Sequence, residues 1–326
     1  MTMLRGVPVA TACALLATAA SAAPRTTHVL WLGSRVFVTA DGKAWRNVTP
    51  RGVGPPITID NVAFHGNRGW LLASICDSQS FVFRSVDDGR SWVSYAFRHY
   101  HTCNAGSNFR LDVLDATRAW VVRNEPAGSF ASLYRTIDGG RSWRTVDRNL
   151  PDIGSVTFVS AKRGWLSGAR LFRTVDGGKK WSRVPLPPPR GSAGKLLQLS
   201  NAHFFGRTGI VAGEYFGHRH VIGFYRTSDA GQRWRLVATL AGSAPYIYPQ
   251  FTVSAVSAST AWLLTAGAKP VASVTIDGGR HWSSHTLPRK LYAPAALSAR
   301  TAAASDFRGS PYITRDGGRI WSRLKL

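Results

Sequence analysis

From about His28 to its end, the chain consists of short runs in which apolar and polar residues alternate, broken every few positions by Gly or Asp. The cleanest stretch runs from Gly154 to Leu186. Within it, GSVTFVS, RGWLSG, ARLFRTVD and KKWSRVPL each place Val, Leu, Phe or Trp at alternate positions. A period of two predicts half-buried strands, and the Gly and Asp breaks predict tight antiparallel hairpins. Labelled A to D in chain order, the four strands make one small sheet, and the same pattern recurs along the chain.

Strands C and D of each unit are joined by one motif, Ser/Thr-x-Asp-x-Gly-x-x-Trp. The copies read SVDDGRSW (Ser85 to Trp92), TIDGGRSW (Thr136 to Trp143), TVDGGKKW (Thr174 to Trp181), TSDAGQRW (Thr227 to Trp234), TIDGGRHW (Thr275 to Trp282) and TRDGGRIW (Thr314 to Trp321). A seventh, TADGKAW (Thr39 to Trp45), is one residue short. Self-similarity every ~40–50 residues marks a repeat architecture, and four short strands per repeat is the plan of a propeller blade. The sequence therefore predicts an all-β protein, a single seven-bladed β-propeller of four-stranded antiparallel blades.

Turn mechanics accounts for every residue of the motif. The carboxylates of Asp41, Asp87, Asp138, Asp176, Asp229, Asp277 and Asp316 can accept backbone N–H bonds within their own turns, and the hydroxyl adds a bond of the same kind. Gly reaches a positive φ that other residues adopt only with strain. Trp buries its ring between adjacent sheets. One carboxylate per turn is poor provision for calcium, which takes six or more oxygens. Seven of the 12 tryptophans close these turns. The other five, Trp31, Trp70, Trp120, Trp165 and Trp262, fall in strand B, with Ile210 and Ala302 expected in that place in the two remaining units. The first unit starts at strand B (HVLWLG), and only Pro24 to Thr27 could supply its strand A. Ring closure is thus open between six and a half and seven blades, with seven favoured.

Residues 1–22 read as a secretory signal peptide: MTMLRG carries one positive charge, VPVATACALLATAA is apolar, and Ala20-Ser21-Ala22 fits a cleavage site. Residues 23–326 are then one propeller domain, exported to the periplasm, cell envelope or medium, peripheral to a membrane at most, and monomeric. Two cysteines remain after cleavage, Cys76 and Cys103. Strands alternate in direction, so the B–C loop of Cys76 and the D–A loop of Cys103 open on the face opposite the repeated turns, and a disulfide between them is expected.

A net charge of +24 points either to an anionic partner or to an arginine-rich coding bias. An exported chain without a recognised nucleic-acid module is not expected to bind nucleic acid. Arg84, Arg135, Arg173 and Arg226 occupy one strand-C position in four units and are expected to form an arc of charge. The face opposite the turns carries FRHYHTC with Arg98 and Tyr100, GEYFGHRH with Glu214, Tyr215 and Arg219, and SAPYIYPQ with Tyr246 and Tyr248. Its two His-x-His pairs lack a third ligand, so neither a metal nor another cofactor is expected.

Carried on copies such as RGWLSGARLFRTVDGGKKW, the whole span from residue 28 to 326 resembles the BNR/Asp-box propellers. It looks most like the exported propellers related to the photosystem II assembly and stability factor. That resemblance implies a non-catalytic binding or assembly scaffold for an envelope protein or an anionic envelope component, with Arg84, Arg135, Arg173 and Arg226 as docking residues; Arg98, Tyr100 and Arg219, on the face opposite the turns, are further candidate binding residues. The sialidase relatives imply the alternative, a glycoside hydrolase, with Glu214 and Tyr215 as its catalytic residues. Against it, Arg-Ile-Pro is missing, the only glutamates are Glu125 and Glu214, and glycoside hydrolysis generally needs two cooperating carboxyl groups. A second alternative is an envelope carbohydrate- or polyanion-binding module.

Overall fold

The computed structural model describes residues 27–76, 78–97, 108–125, 130–192, 194–216, 220–242 and 251–326. Hairpin follows hairpin, as the alternation predicts, and seven antiparallel sheets result. Blade 1 comprises β1 (His28–Leu32), β2 (Arg35–Thr39) and β3 (Arg46–Asn47). Blade 2 holds β4 (Thr58–His65), β5 (Arg68–Ile75), β6 (Gln79–Ser85) and β7 (Val93–Phe97), and blade 3 holds β8 (Asn108–Val113), β9 (Ala119–Asn124), β10 (Ala131–Thr136) and β11 (Arg144–Asp147). Blade 4 is β12 (Ser155–Phe158), β13 (Gly164–Ser167), β14 (Leu171–Thr174) and β15 (Ser182–Val184). In blade 5, strand A is broken into β16 (Lys195–Leu199) and β17 (His203–Phe205), which both pair with β18 (Thr208–Phe216), followed by β19 (Val221–Thr227) and β20 (Arg235–Ala241). Blade 6 is β21 (Phe251–Ala255), β22 (Ala261–Thr265), β23 (Val271–Thr275) and β24 (Ser283–Thr286). Blade 7 is β25 (Tyr292–Ala296), β26 (Ala302–Ser305), β27 (Pro311–Thr314) and β28 (Ser322–Arg323).

First strands of neighbouring blades pack on one another, β4 on β8, β8 on β12 and β21 on β25, which places strand A at the axis. Among the described residues blade 1 has no strand A, and β1 takes the inner position against β4 and β25. The ring closes by packing rather than by a shared sheet. Leu30 of β1 buries with Ala303, Ile313 and Leu324 of blade 7, and the Arg315 guanidinium donates to the Gly42 carbonyl at 3.1 Å.

The core is distributed over the seams between adjacent blades, one apolar cluster to each. Trp70, Trp120, Trp165 and Trp262 are fully buried there. Register corrects two expectations about this position. Trp70 lies opposite Arg84, one residue before the turn. In blade 1 the residue opposite the equivalent Val38 is Val29, and Trp31 lies two residues further along, 36% exposed. In blade 7 the equivalent residue is Ala303, opposite Ile313, and Ala302 lies one residue away.

The repeated turns share one hydrogen-bond pattern. In blades 2 to 7 the Ser/Thr hydroxyl accepts from the Gly amide four residues on, at 2.8–3.0 Å. The Asp Oδ1 accepts from the amide four residues beyond itself, at 2.9–3.1 Å. The turn then donates to the A–B hairpin of its own blade, for example from Gly177 to the Lys162 carbonyl at 2.9 Å. The second glycine has two duties: Gly231 sits at φ +74°, and a Cβ there would meet the Trp165 ring of the preceding blade at 2.4–2.6 Å.

These bonds stabilise the charged carboxylate. Bonds from the Ser91 hydroxyl and amide hold Asp87 down to about 2, and a bond from the Arg233 amide, with others, holds Asp229 below the usual carboxylate range. A group depressed in the folded state contributes stability above its unfolded value and loses it as pH falls through its folded value. Urea-unfolding midpoints are therefore expected to hold down to about pH 4 and fall between about 4 and 2. In Asp87→Asn, which loses the charge but keeps an acceptor, that decline should be shallower. Identical acid limbs for the two proteins would refute the linkage.

Candidate functional site

The four strand-C arginines were expected to form an arc of charge. Each is half-buried, lying across from the strand-B residue of its own blade: Trp70, Trp120, Trp165 or Ile210. The Arg84 guanidinium lies 4.1 Å from the Trp70 ring centroid and donates 2.7 Å to the Gly139 carbonyl in the next blade's turn. Burial holds its pKa below the ordinary arginine value. Arg135 and Arg226 reach Gly177 and Gly278 of their next blades so closely that a Cβ there would lie 3.4 and 1.8 Å from the guanidinium. Gly at that turn position thus admits the neighbouring arginine. Arg84, Arg135 and Arg226 reach across their seams into the next blade's turn.

Of the residues expected on the opposite face, Arg98, Tyr100, Cys103 and Arg219 lie outside the described residues, as do Tyr246, Tyr248, His99, His101 and His218. Cys76 follows β5 directly. Glu214 and Tyr215 are both described, and β18 points them to opposite faces. Tyr215 is buried in the seam between blades 4 and 5, its hydroxyl 2.7 Å from that of Tyr225, which donates to the Pro187 carbonyl at 2.8 Å. Burial pushes both phenols above the ordinary tyrosine value. Glu214 is also buried and accepts from the Gln198 amide at 3.0 Å. The two residues do not converge on a common substrate position. Glu125, the other glutamate, pairs with Arg123 at 3.0 Å.

Two features escaped the sequence reading. The residue after the motif's second glycine is Lys43, Arg90, Arg141, Lys179, Arg280 or Arg319 in six of the seven turns. All six are exposed, and none is in an ion pair among the described residues. Their signal was in plain view as the K/R of GGR and GGK. It was hidden because the motif as a whole has a structural explanation.

The second is an axial cavity of about 280 Å³ lined by strand A of blades 2 to 5, including Asn61, Arg110, Asp112, Ser155, Thr157 and His203. Asp112 Oδ2 accepts from the Phe158 amide at 2.7 Å, tying blade 3 to blade 4. Burial pushes its carboxyl up to about 7. His203 is pushed down to about 4 by burial, against a bond to the Val253 backbone of blade 6. Arg110, whose charged form burial also disfavours, is attracted to Asp60 of blade 2. No group of three or more His, Cys, Asp or Glu among the described residues could hold a metal.

Fold and site together define a seven-bladed β-propeller with arginines crossing its seams, a basic rim on the turn face and a polar axial cavity. No protein-family model matches the chain, and no curated protein does. Among solved structures it is similar to YCF48 bound to D1 peptide, at 15% identity over 93% of this chain and 91% of that one, with a TM-score of 0.56. YCF48 from Cyanidioschyzon merolae is similar at 17% identity, 83% and 86% coverage and a TM-score of 0.55. The BP39L lectin from Burkholderia pseudomallei is similar at 12% identity, 93% and 96% coverage and a TM-score of 0.59. At such identities the likeness carries the fold, and function rests on the site.

Proposed function

We propose that this chain is an exported, non-catalytic propeller that binds an acidic segment of an envelope protein as an assembly scaffold. The observation that carries the proposal is the rim of six exposed cations on the turn face, repeated at one motif position. The acid of each turn is engaged by its own hydrogen bonds, whereas these cation heads are in no ion pair among the described residues. One similar propeller, YCF48, is described as bound to a D1 peptide, which supports a protein segment as the ligand. The separation of Glu214 from Tyr215 argues against the hydrolase reading.

The test is capture from the native host envelope with tagged protein from residue 23 to 326, washed at low and then high salt. A discrete protein that survives the high-salt wash supports the scaffold, because a packed interface outlasts screening. Recovery of polymer or lipid alone, lost in salt, would overturn it in favour of a polyanion-binding module.

A further inference from the structure

We propose that the axial cavity is a binding site for a small primary ammonium compound, held by Asp112. This reading is independent of the protein partner proposed above. The cavity's charges do not balance among themselves. Arg110 has Asp60 as its electrostatic partner, but no cation among the described residues pairs with Asp112, whose one hydrogen bond leaves the second carboxylate oxygen available. Asp112 is half-buried, and a matched cation offsets the cost of a partly desolvated carboxylate. His203 adds to the same demand. Burial keeps it neutral against a bond to the Val253 backbone, so one of its ring nitrogens is an acceptor. A carboxylate oxygen and an imidazole lone pair on one cavity call for N–H donors. An ammonium group supplies three.

Other occupants fit less well. A divalent ion wants six or more oxygens, and no further acid or imidazole joins Asp112 and His203 in a metal-binding group. An anion would face Asp112, and Arg110 is already attracted to Asp60. At about 280 Å³ the cavity is near the lower end of small-molecule sites, which sets the ligand at a few heavy atoms. Hydroxyls of Ser155 and Thr157 and the amide of Asn61 stand ready for a polar group beside the nitrogen.

Isotope-labelled protein from residue 23 to 326 should be titrated with ethanolamine and followed by amide chemical shifts, with ethylene glycol as the neutral analogue and glycolate as the anionic one. Only ethanolamine is expected to shift Asp112, Thr157 and Phe158 saturably. Asp112→Asn keeps an oxygen for the Phe158 amide, so its spectrum should stay dispersed while affinity falls at least ~10-fold, about 1.4 kcal/mol. Affinity should fall similarly from about pH 8 to about pH 5, as the Asp112 carboxylate is protonated. The other charged groups facing it are Arg110 on β8, Asp60 on β4 and His203 on β17, and β12 contributes only hydroxyls. His203, held near 4, is neutral at both pH values. Equal binding of either analogue, an unchanged affinity in Asp112→Asn, or no saturable shift with ethanolamine would overturn the site.

Discussion

Trp120→Ala is expected to cost about 3–5 kcal/mol of stability, the largest effect of any single truncation in the ring. The indole is fully buried and stacks on Phe158 of the next blade, centroids 3.9 Å apart and planes 4° from parallel. It therefore belongs to both blades at once. Around it pack Val122, Leu133, Val156 and Leu166, strand residues held in register on both sides of the seam. They cannot collapse into the space left by an indole without breaking those ladders, so the cavity persists and adds its own cost. Because each blade contacts only its neighbours, the loss should appear first as faster amide exchange in blades 3 and 4. Trp31→Ala is the internal control. At 36% exposure, its removal should cost under ~1 kcal/mol. Chemical unfolding of both variants gives the comparison, and a Trp120→Ala cost no greater than that of Trp31→Ala would refute a seam-based core.

That control exists because the sequence misleads at one place. Strands, hairpins and the seven-part repeat were legible because alternation and turn chemistry are local. A strand's face is local too, but its register is not. HVLWLG invites alignment of Trp31 with the other strand-B tryptophans, yet among the described residues blade 1 has no A–B hairpin to anchor the count, and pairing with β2 puts Val29 in that place. The arginines show a related limit. Their common position was plain, but whether a strand-C side chain points to solvent or to the next blade depends on the propeller's packing, and Gly139 and Gly278 are recognisable as their receptors only in three dimensions. The axial cavity was least legible of all. It assembles residues of blades 2 to 5, and nothing in one strand A announces the others.

Separating the two sets of basic residues gives the sharpest test of the proposed function. Reversal of the rim (Lys43, Arg90, Arg141, Lys179, Arg280 and Arg319 to Glu) is expected to weaken docking of the captured partner about 100-fold at low ionic strength, about 2.7 kcal/mol. Exposed ion pairs contribute only ~0.2–1 kcal/mol each, so several of the six must act together to reach that figure. The loss should lie largely in the association rate and shrink as salt is added, since unscreened rim charge steers encounter. Stability should change little, because these side chains are exposed and surface substitutions are usually near neutral. Arg84→Ala and Arg226→Ala should behave in the opposite way. Arg84 contributes a hydrogen bond and a ring contact across a seam, so its loss should cost roughly 1–3 kcal/mol of stability while docking of the folded fraction is unchanged. Surface-immobilised partner and a denaturant series on the same preparations read both quantities. If rim reversal left docking intact and the seam arginines controlled it without loss of stability, the binding surface would be the arc after all, with its guanidinium groups reaching the partner through the turns rather than holding the blades together.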